Sequence, residues 1–182
     1  MKKENRTIWT IGHSTRSLTE FVEMLNSFQI EIVVDIRSFP GSRKYPHFNK
    51  EALAISLPEA GLQYIHLKNL GGRRKTNPDS KNTVWRHPAF RAYADFMETE
   101  TFQEGMKELE EIGSSKRTSY MCSEAVWWRC HRSMVSDYLK AKGWIVMHIM
   151  GVDKAQEHPY TQPAKIVNGH LTYEIGQEEI KF

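Results

Sequence analysis

The chain is 182 residues long, 40% hydrophobic and 26% charged, with a formal charge of +3. That is the profile of one folded domain with a core of its own and not of a disordered segment. No apolar run reaches the length of a membrane span, and the apolar stretch after Met1-Lys2-Lys3 is too short for a signal-peptide core, so the expectation is a cytoplasmic protein with no membrane association.

Short apolar runs alternate with amphipathic segments over the first 150 residues. Ile8-Trp9-Thr10-Ile11 reads as a first strand ending at Gly12-His13-Ser14. Ser17-Leu18-Thr19-Glu20 is a capping box, and Leu18, Phe21, Val22, Leu25 and Phe28 follow it at helical spacing. The β-branched run Ile32-Val33-Val34 predicts a buried strand ending at Asp35-Ile36-Arg37, and the Pro- and Gly-bearing stretch from Ser38 to Phe48 is expected to be irregular. Lys50 to Ala60 reads as a helix whose end Pro58 should kink or shorten and which Gly61 stops, and Leu62 to Leu67 as a third strand leading into a basic loop, Gly71-Gly72-Arg73-Arg74. Pro88 to Glu98 and Thr101 to Ile112 are helical, the second opened by the box Thr101-Phe102-Gln103-Glu104. Thr118 to Met121 is a fourth strand, Ser133 to Lys142 a helix closed by Gly143, and Trp144 to Ile149 a fifth strand. Near the C-terminus, Lys165-Ile166-Val167, Asn168-Gly169 and Leu171-Thr172-Tyr173 spell a two-residue hairpin. The expectation is one α/β domain spanning residues 1–182. Its largely parallel sheet is flanked by helices on both faces, and residues 151–182 form a C-terminal β-hairpin extension.

In such sheets ligands bind beyond the carboxyl ends of the strands. Those ends deliver Gly12, His13 and Ser14, then Asp35 and Arg37, then the loop from Lys68 to Gly72, then Cys122-Ser123-Glu124. The last group opens the densest chemical stretch of the chain. Residues 120–132, Tyr-Met-Cys-Ser-Glu-Ala-Val-Trp-Trp-Arg-Cys-His-Arg, hold both cysteines, a carboxylate, an imidazole and two guanidiniums. In a chain of this type the two cysteines read as free thiols. Cations and a helix start lower a thiol pKa, which marks Cys122 as candidate nucleophile, with His131 or Glu124 as its proton partner. Arg132 and Arg37 are candidate anion ligands, with Gly12, His13, Ser14 and Asp35 completing the binding set. Cys130 reads as a small, half-buried thiol. The adjacent rings of Trp127 and Trp128 should point different ways, one inward and one toward the pocket. Zinc at Cys122, Glu124, Cys130 and His131 fits poorly, because seven residues separate the cysteines and no second pair exists; no metal and no cofactor are expected.

Together Ile11-Gly12-His13-Ser14, Asp35-Ile36-Arg37 with Pro40 and Ser42, Leu70-Gly71-Gly72, Cys122-Ser123-Glu124, Cys130-His131-Arg132 and the closing His158-Pro159-Tyr160-Thr161 resemble the domain of unknown function DUF488 family over nearly the whole chain. The resemblance implies an α/β domain and leaves the chemistry open. A weaker, local likeness links Val34-Asp35-Ile36-Arg37, and Cys122 followed by Arg129 or Arg132, to the anion-binding cysteine loop of rhodanese-type domains. The loop here is longer and carries two tryptophans, so sulfur or phosphoryl transfer through Cys122 is an analogy only.

Three functions remain open at this point. The first is a cysteine-dependent transferase or hydrolase acting on an anionic small molecule, nucleotide or nucleic acid. The second is a nucleic-acid or nucleotide binder without cysteine chemistry, supported by the basic stretch Lys68 to Arg91, in which Asp79 is the only acid and Trp85 and Phe90 are interleaved. The third is a redox sensor that uses Cys122 and Cys130. The oligomeric state is unassigned.

Overall fold

In the computed structural model, which describes residues 6–176, the short apolar runs pair into a six-stranded sheet. Its strands are β1 (Thr7–Gly12), β2 (Ile32–Asp35), β3 (Gln63–His66), β4 (Thr118–Cys122), β5 (Ile145–Gly151) and β6 (Lys154–Glu157), in the order β3-β2-β4-β1-β5-β6. The first five are parallel and β6 is antiparallel to β5. Five helices cover it: α1 (Leu18–Ser27), α2 (Lys50–Glu59), α3 (Pro88–Phe96), α4 (Glu100–Ser115) and α5 (Arg132–Ala141). The architecture is the expected α/β fold with a mostly parallel sheet.

Side-chain alternation along the strands divides the apolar residues into two cores, one on each face. Trp9, Ile11, Val33, Met121 and Ile149 pack with Phe21, Leu25, Leu53 and Leu57 of α1 and α2. Ile8, Val34, Tyr120 and Val146 point the other way, onto Tyr93, Phe102, Met106, Val135 and Leu139 of α3, α4 and α5. From β1 the chain runs through α1 to β2 on one side of the sheet. From the neighbouring β4 it runs through α5 to β5 on the other side. The loops leaving β1 and β4 therefore diverge and open a crevice between them, at the place where open α/β sheets bind ligands.

One local expectation is corrected, and one strand is added. The helix α4 is capped by Thr99, whose hydroxyl accepts the Phe102 N–H at 3.3 Å, and not by Thr101. β6 had no sequence signal, because Lys154-Ala155-Gln156-Glu157 is an exposed edge strand without apolar alternation. The Ser17 capping box forms on both sides. The hairpin also forms, with β7 (Lys165–Val167) and β8 (His170–Thr172) joined at Asn168 (φ 52) and Gly169 (φ 79), both in the left-handed region that this turn requires.

A buried polar chain ties the C-terminal segment to the sheet. Thr10 Oγ1 lies 2.6 Å from His148 Nδ1, His148 Nε2 lies 2.8 Å from His158 Nδ1, and His158 Nε2 lies 2.8 Å from Asp137 Oδ1. Asp137 also accepts the Thr161 backbone N–H at 2.9 Å, the Thr161 hydroxyl, and the Tyr173 hydroxyl at 2.8 Å. Every carboxylate oxygen of Asp137 is thus satisfied without an arginine or lysine, which is what a buried carboxylate needs.

Burial, reinforced by the neighbouring His158, lowers the His148 pKa to about 2 from 6.5. The folded protein therefore leaves this imidazole neutral where the unfolded chain protonates it, so stability is level above the unfolded value and falls as pH drops through 6.5. For His148 alone the loss at pH 5 is about 2 kcal/mol. His13, lowered to about 4, adds a loss of the same sign down to that pH. Urea unfolding midpoints between about pH 8 and 5 are expected to fall steadily below pH 6.5, and a midpoint unchanged over that range would contradict the burial described.

Candidate functional site

The carboxyl ends of β1, β2 and β4 open into a cleft of about 980 Å³. It brings His13, Ser14 and Arg37 together with Cys122, Glu124 and His131. Gly12, Asp35 and Arg132, the other residues singled out from sequence, lie behind the cleft surface and support it.

Asp35 ends β2 and acts as the socket for Arg37. Its carboxylate accepts Arg37 Nε at 2.9 Å, Arg37 Nη2 at 2.7 Å, the Arg37 backbone N–H at 3.1 Å and the Tyr64 hydroxyl at 2.6 Å. Burial beside this carboxylate pushes the Tyr64 phenol far above its ordinary value, so it stays a donor. Arg37 Nη2 also reaches the Phe48 carbonyl at 2.7 Å, and Nη1 meets His13 Nε2 at 3.3 Å. Of the five N–H donors of a guanidinium, four are engaged in this way, leaving one on Nη1 for a ligand.

His13 stacks on Phe48 at 4.3 Å and directs Nδ1 to the Ser14 carbonyl at 2.8 Å. That contact assigns the proton to Nδ1 and the lone pair to Nε2, where Arg37 donates. With its pKa lowered mainly by burial, His13 is a neutral wall of the cleft. Ser14 adopts a φ of 50 to make the turn.

The cysteine loop is a continuation of the sheet. His13 N–H donates to the Cys122 carbonyl at 3.0 Å and Ser14 N–H to the Ser123 carbonyl at 2.9 Å, extending the β1–β4 ladder beyond both strands. Glu124 then turns its carbonyl inward, onto Arg132 Nη2 at 3.1 Å, and its exposed carboxylate forms part of the cleft wall. A Cβ on Gly12 would sit 1.7 Å from that carbonyl oxygen, so only glycine fits there. Gly12 is a packing residue, and its own carbonyl is taken by Arg16 Nη1 at 2.7 Å.

The loop returns through a single turn of 3-10 helix, Trp127–Arg129, and delivers Cys130 to the start of α5. The Cys122 and Cys130 sulfurs lie 2.7 Å apart, at 2% and 6% exposure. Cys130 Sγ also meets His131 Nδ1 at 3.4 Å and the Arg132 backbone N–H at 3.5 Å. His131 is held by Nε2 donating to the Ile36 carbonyl at 2.9 Å, which leaves its Nδ1 lone pair facing Cys130. From sequence, either His131 or Glu124 is expected as the proton partner of Cys122; instead the sulfur contact of His131 is Cys130, and its Nε2 is held by a backbone carbonyl. Burial keeps His131 neutral by lowering its pKa.

The two thiols differ in ionisation. Burial and the hydrogen bond with Cys130 push Cys122 well above the ordinary thiol value. Burial opposes ionisation of Cys130 as well, but the contact from Cys122, the Arg132 charge and the Arg132 N–H together outweigh it and lower its pKa. Arg132 itself is 1% exposed, with Nη2 on the Glu124 and Ala125 carbonyls and Nε without a partner. Among the described residues no carboxylate pairs with it, and its charge is one of the causes that lower the Cys130 pKa.

The cleft walls carry further residues, among them one of the two adjacent tryptophans. Trp128 (51% exposed) and Phe39 (62% exposed) line it, with Lys68 and Arg73 over the Phe39 ring at 5.3 and 5.5 Å. Trp127 turns inward and stacks on His148 at 4.7 Å, so the two tryptophans do diverge. Arg73 and Arg129, both exposed, add positive charge to the wall. Among the described residues no group of three or more His, Cys, Asp and Glu is placed to hold a metal ion.

Gly72 gives a direct check on this geometry, since a Cβ there would lie 2.5 Å from His131 Nδ1. Gly72→Ala is expected to displace the imidazole and cost about 1–3 kcal/mol in urea unfolding. Gly41→Ala, on the same cleft but with open space around it, should change stability by less than about 0.5 kcal/mol. Equal effects would mean that His131 is not seated as described.

No curated protein and no solved structure matches the chain. The family model for the domain of unknown function DUF488 matches residues 17–139, a span that includes Asp35, Arg37, Gly72, both cysteines, His131 and Arg132, and the chain belongs to that family.

Proposed function

We propose that the protein is a thiol-dependent enzyme in which Cys130 takes a group from an anionic substrate bound in the cleft. One observation carries this reading. A thiol at the start of α5 is surrounded by an imidazole lone pair, a backbone N–H and a buried guanidinium that has no carboxylate. Nucleophilic thiols are activated by this combination of base, cation and helix N-terminus. The base has its own orienting partner in the Ile36 carbonyl. Arg37 Nη1, Arg73 and Arg129 supply positive charge at the cleft for the anionic portion of the substrate. Cys122, the sequence candidate, is in this reading the neighbour that hydrogen-bonds the reactive sulfur. Iodoacetate labelling of the reduced, folded protein with peptide mapping tests it. Cys130 should be carboxymethylated before Cys122, with a pH midpoint below the ~8.5 of a free thiol. Absence of labelling at pH 8, or labelling of Cys122 first, would remove Cys130 from the role.

A second reading has its own observation, the pair of exposed rings, Trp128 and Phe39, with cations over Phe39. Aromatic platforms beside basic side chains bind single strands by stacking and phosphate contacts. On this view a short single-stranded oligonucleotide quenches tryptophan fluorescence at low salt, the quench is lost in Trp128→Ala, and affinity falls with a log–log salt slope of about −0.7 per phosphate contacted. An oligonucleotide that does not bind at low salt eliminates it.

A further inference from the structure

The second cysteine goes unused in a mechanism that needs only one nucleophile, yet its sulfur is the closest neighbour of the first. We infer that Cys130 and Cys122 form an attacking and resolving pair that exchanges with anionic disulfides. This rests on the reading of the cleft as a thiol site and adds to it the class of substrate.

As space-filling groups, two thiols need no charge nearby. Here the pair lies beside Arg132, a buried guanidinium with an unpartnered Nε and no carboxylate among the described residues. Such a cation is expensive to bury uncompensated, so the arrangement is stable with one thiolate and one thiol. Position assigns the two roles. Cys130 is at the start of α5 and touches the Arg132 N–H and His131 Nδ1. Cys122 ends β4, is the less exposed of the two, and has Cys130 and the Glu124 carbonyl, at 3.9 Å, as its polar neighbours.

A thiolate with a second thiol 2.7 Å away has one reaction that a lone cysteine lacks, which is to hand an acquired sulfur substituent on. The Cys130 thiolate attacks one sulfur of R–S–S–R. The substrate S–S bond breaks, RS⁻ leaves, and Cys130–S–S–R forms. The Cys122 proton passes to the departing thiolate. The Cys122 thiolate then attacks the Cys130 sulfur, expelling the second RS⁻ and closing the Cys122–Cys130 disulfide. The substrate gains two electrons and the protein pair loses two, and the single protein proton ends on one of the two products. The two sulfurs are already in contact, as closing a disulfide requires. A carbon-bound substituent could not be resolved in this way, because closing the Cys122–Cys130 bond would have to expel a carbon anion. The anionic preference follows from Arg37, Arg73 and Arg129 on the cleft, which face one exposed carboxylate, Glu124.

Reduced protein is mixed with oxidised glutathione or 5,5′-dithiobis(2-nitrobenzoate), both anionic, and with neutral 2-hydroxyethyl disulfide or cationic cystamine. The reactions are quenched in acid and read by intact mass and peptide mapping. Wild type should lose the mass of two hydrogens and keep no adduct. Cys122→Ser should hold a mixed disulfide on Cys130, and Cys130→Ser should react far more slowly. Relative to a free thiol, the anionic reagents should be favoured over cystamine by about tenfold or more, a preference that Arg73→Glu reduces. A stable adduct on wild-type Cys130 without the internal disulfide refutes the pair and leaves the thiol site standing. So does iodoacetate labelling of Cys130 in a protein that ignores every disulfide. Reaction of Cys130→Ser at the wild-type rate through Cys122 refutes the assignment of roles. A protein inert to both iodoacetate and disulfides overturns this proposal and the reading it rests on together. If a serine variant does not fold, the wild-type mass change and the peptide bearing it decide the question alone.

Discussion

The backbone carbonyl of Glu124 is the fixed point on which the site depends. It is confined on one side by Gly12, where a Cβ would lie 1.7 Å away, and on the other by Arg132 Nη2 at 3.1 Å. A backbone oxygen turned into the protein must be hydrogen-bonded, and here the donor is a buried guanidinium that would itself be costly without acceptors. The two requirements are met together. Because Arg132 opens α5 while Gly12 closes β1, this one contact sets where the cysteine loop leaves the sheet and where it rejoins the helix. The Cys122 and Cys130 sulfurs meet as a consequence, at the start and end of the loop so pinned.

Topology explains why this happens between β1 and β4. These strands are hydrogen-bonded neighbours through Gly12 and Cys122, but the chain leaves them toward opposite sides of the sheet. The gap above their ends is lined from the loop after β2, through Arg37, and from the loop after β3, through Gly72 and Arg73. The polar groups are supported from beneath by contacts that belong to the fold. Asp35 receives Tyr64 from the adjacent β3, and His66 Nε2 lies 2.7 Å from the Arg37 carbonyl. Arg37 is therefore presented by a structure that is already satisfied, with one donor left over.

Much of this was legible in the sequence because it depends on period and punctuation. The parallel strands appear as β-branched runs, the helix starting at Leu18 as a capping box, and the terminal hairpin as Asn168-Gly169. The convergence of His13, Ser14, Arg37, Cys122, Glu124 and His131 on one sheet edge follows once the strands are ordered in parallel. What sequence did not carry was which atom meets which. The order of partners around the sulfurs depends on the path of the loop through Trp127–Arg129, which has no periodicity. Glu124 looked like a functional carboxylate, but its backbone carbonyl makes the decisive contact. Phe48 and Tyr64, which position His13 and Asp35, gave no signal because an aromatic residue beside a strand is more often simply core. Arg132 illustrates the same limit from the other direction, since its type was right for an anion site and only burial shows it working from behind.

The loop is held from a third direction as well. Trp127 is stacked on His148 with an interplanar angle of 3° and meets His158 edge-on at 5.0 Å. Those imidazoles belong to the buried chain from Thr10 to Asp137, which also anchors Thr161 and Tyr173. The C-terminal segment thus packs under the middle of the cysteine loop, while Gly12 with Arg132 and Ile36 with His131 hold its two ends. None of these contacts involves sulfur. The positions of Cys122 and Cys130 are therefore set by backbone carbonyls, a stacked tryptophan and a satisfied carboxylate, and the same scaffold serves whether the sulfurs are reduced or joined. A site built this way can change its covalent state without rebuilding its supports, which is the property that reversible thiol chemistry demands of a fold.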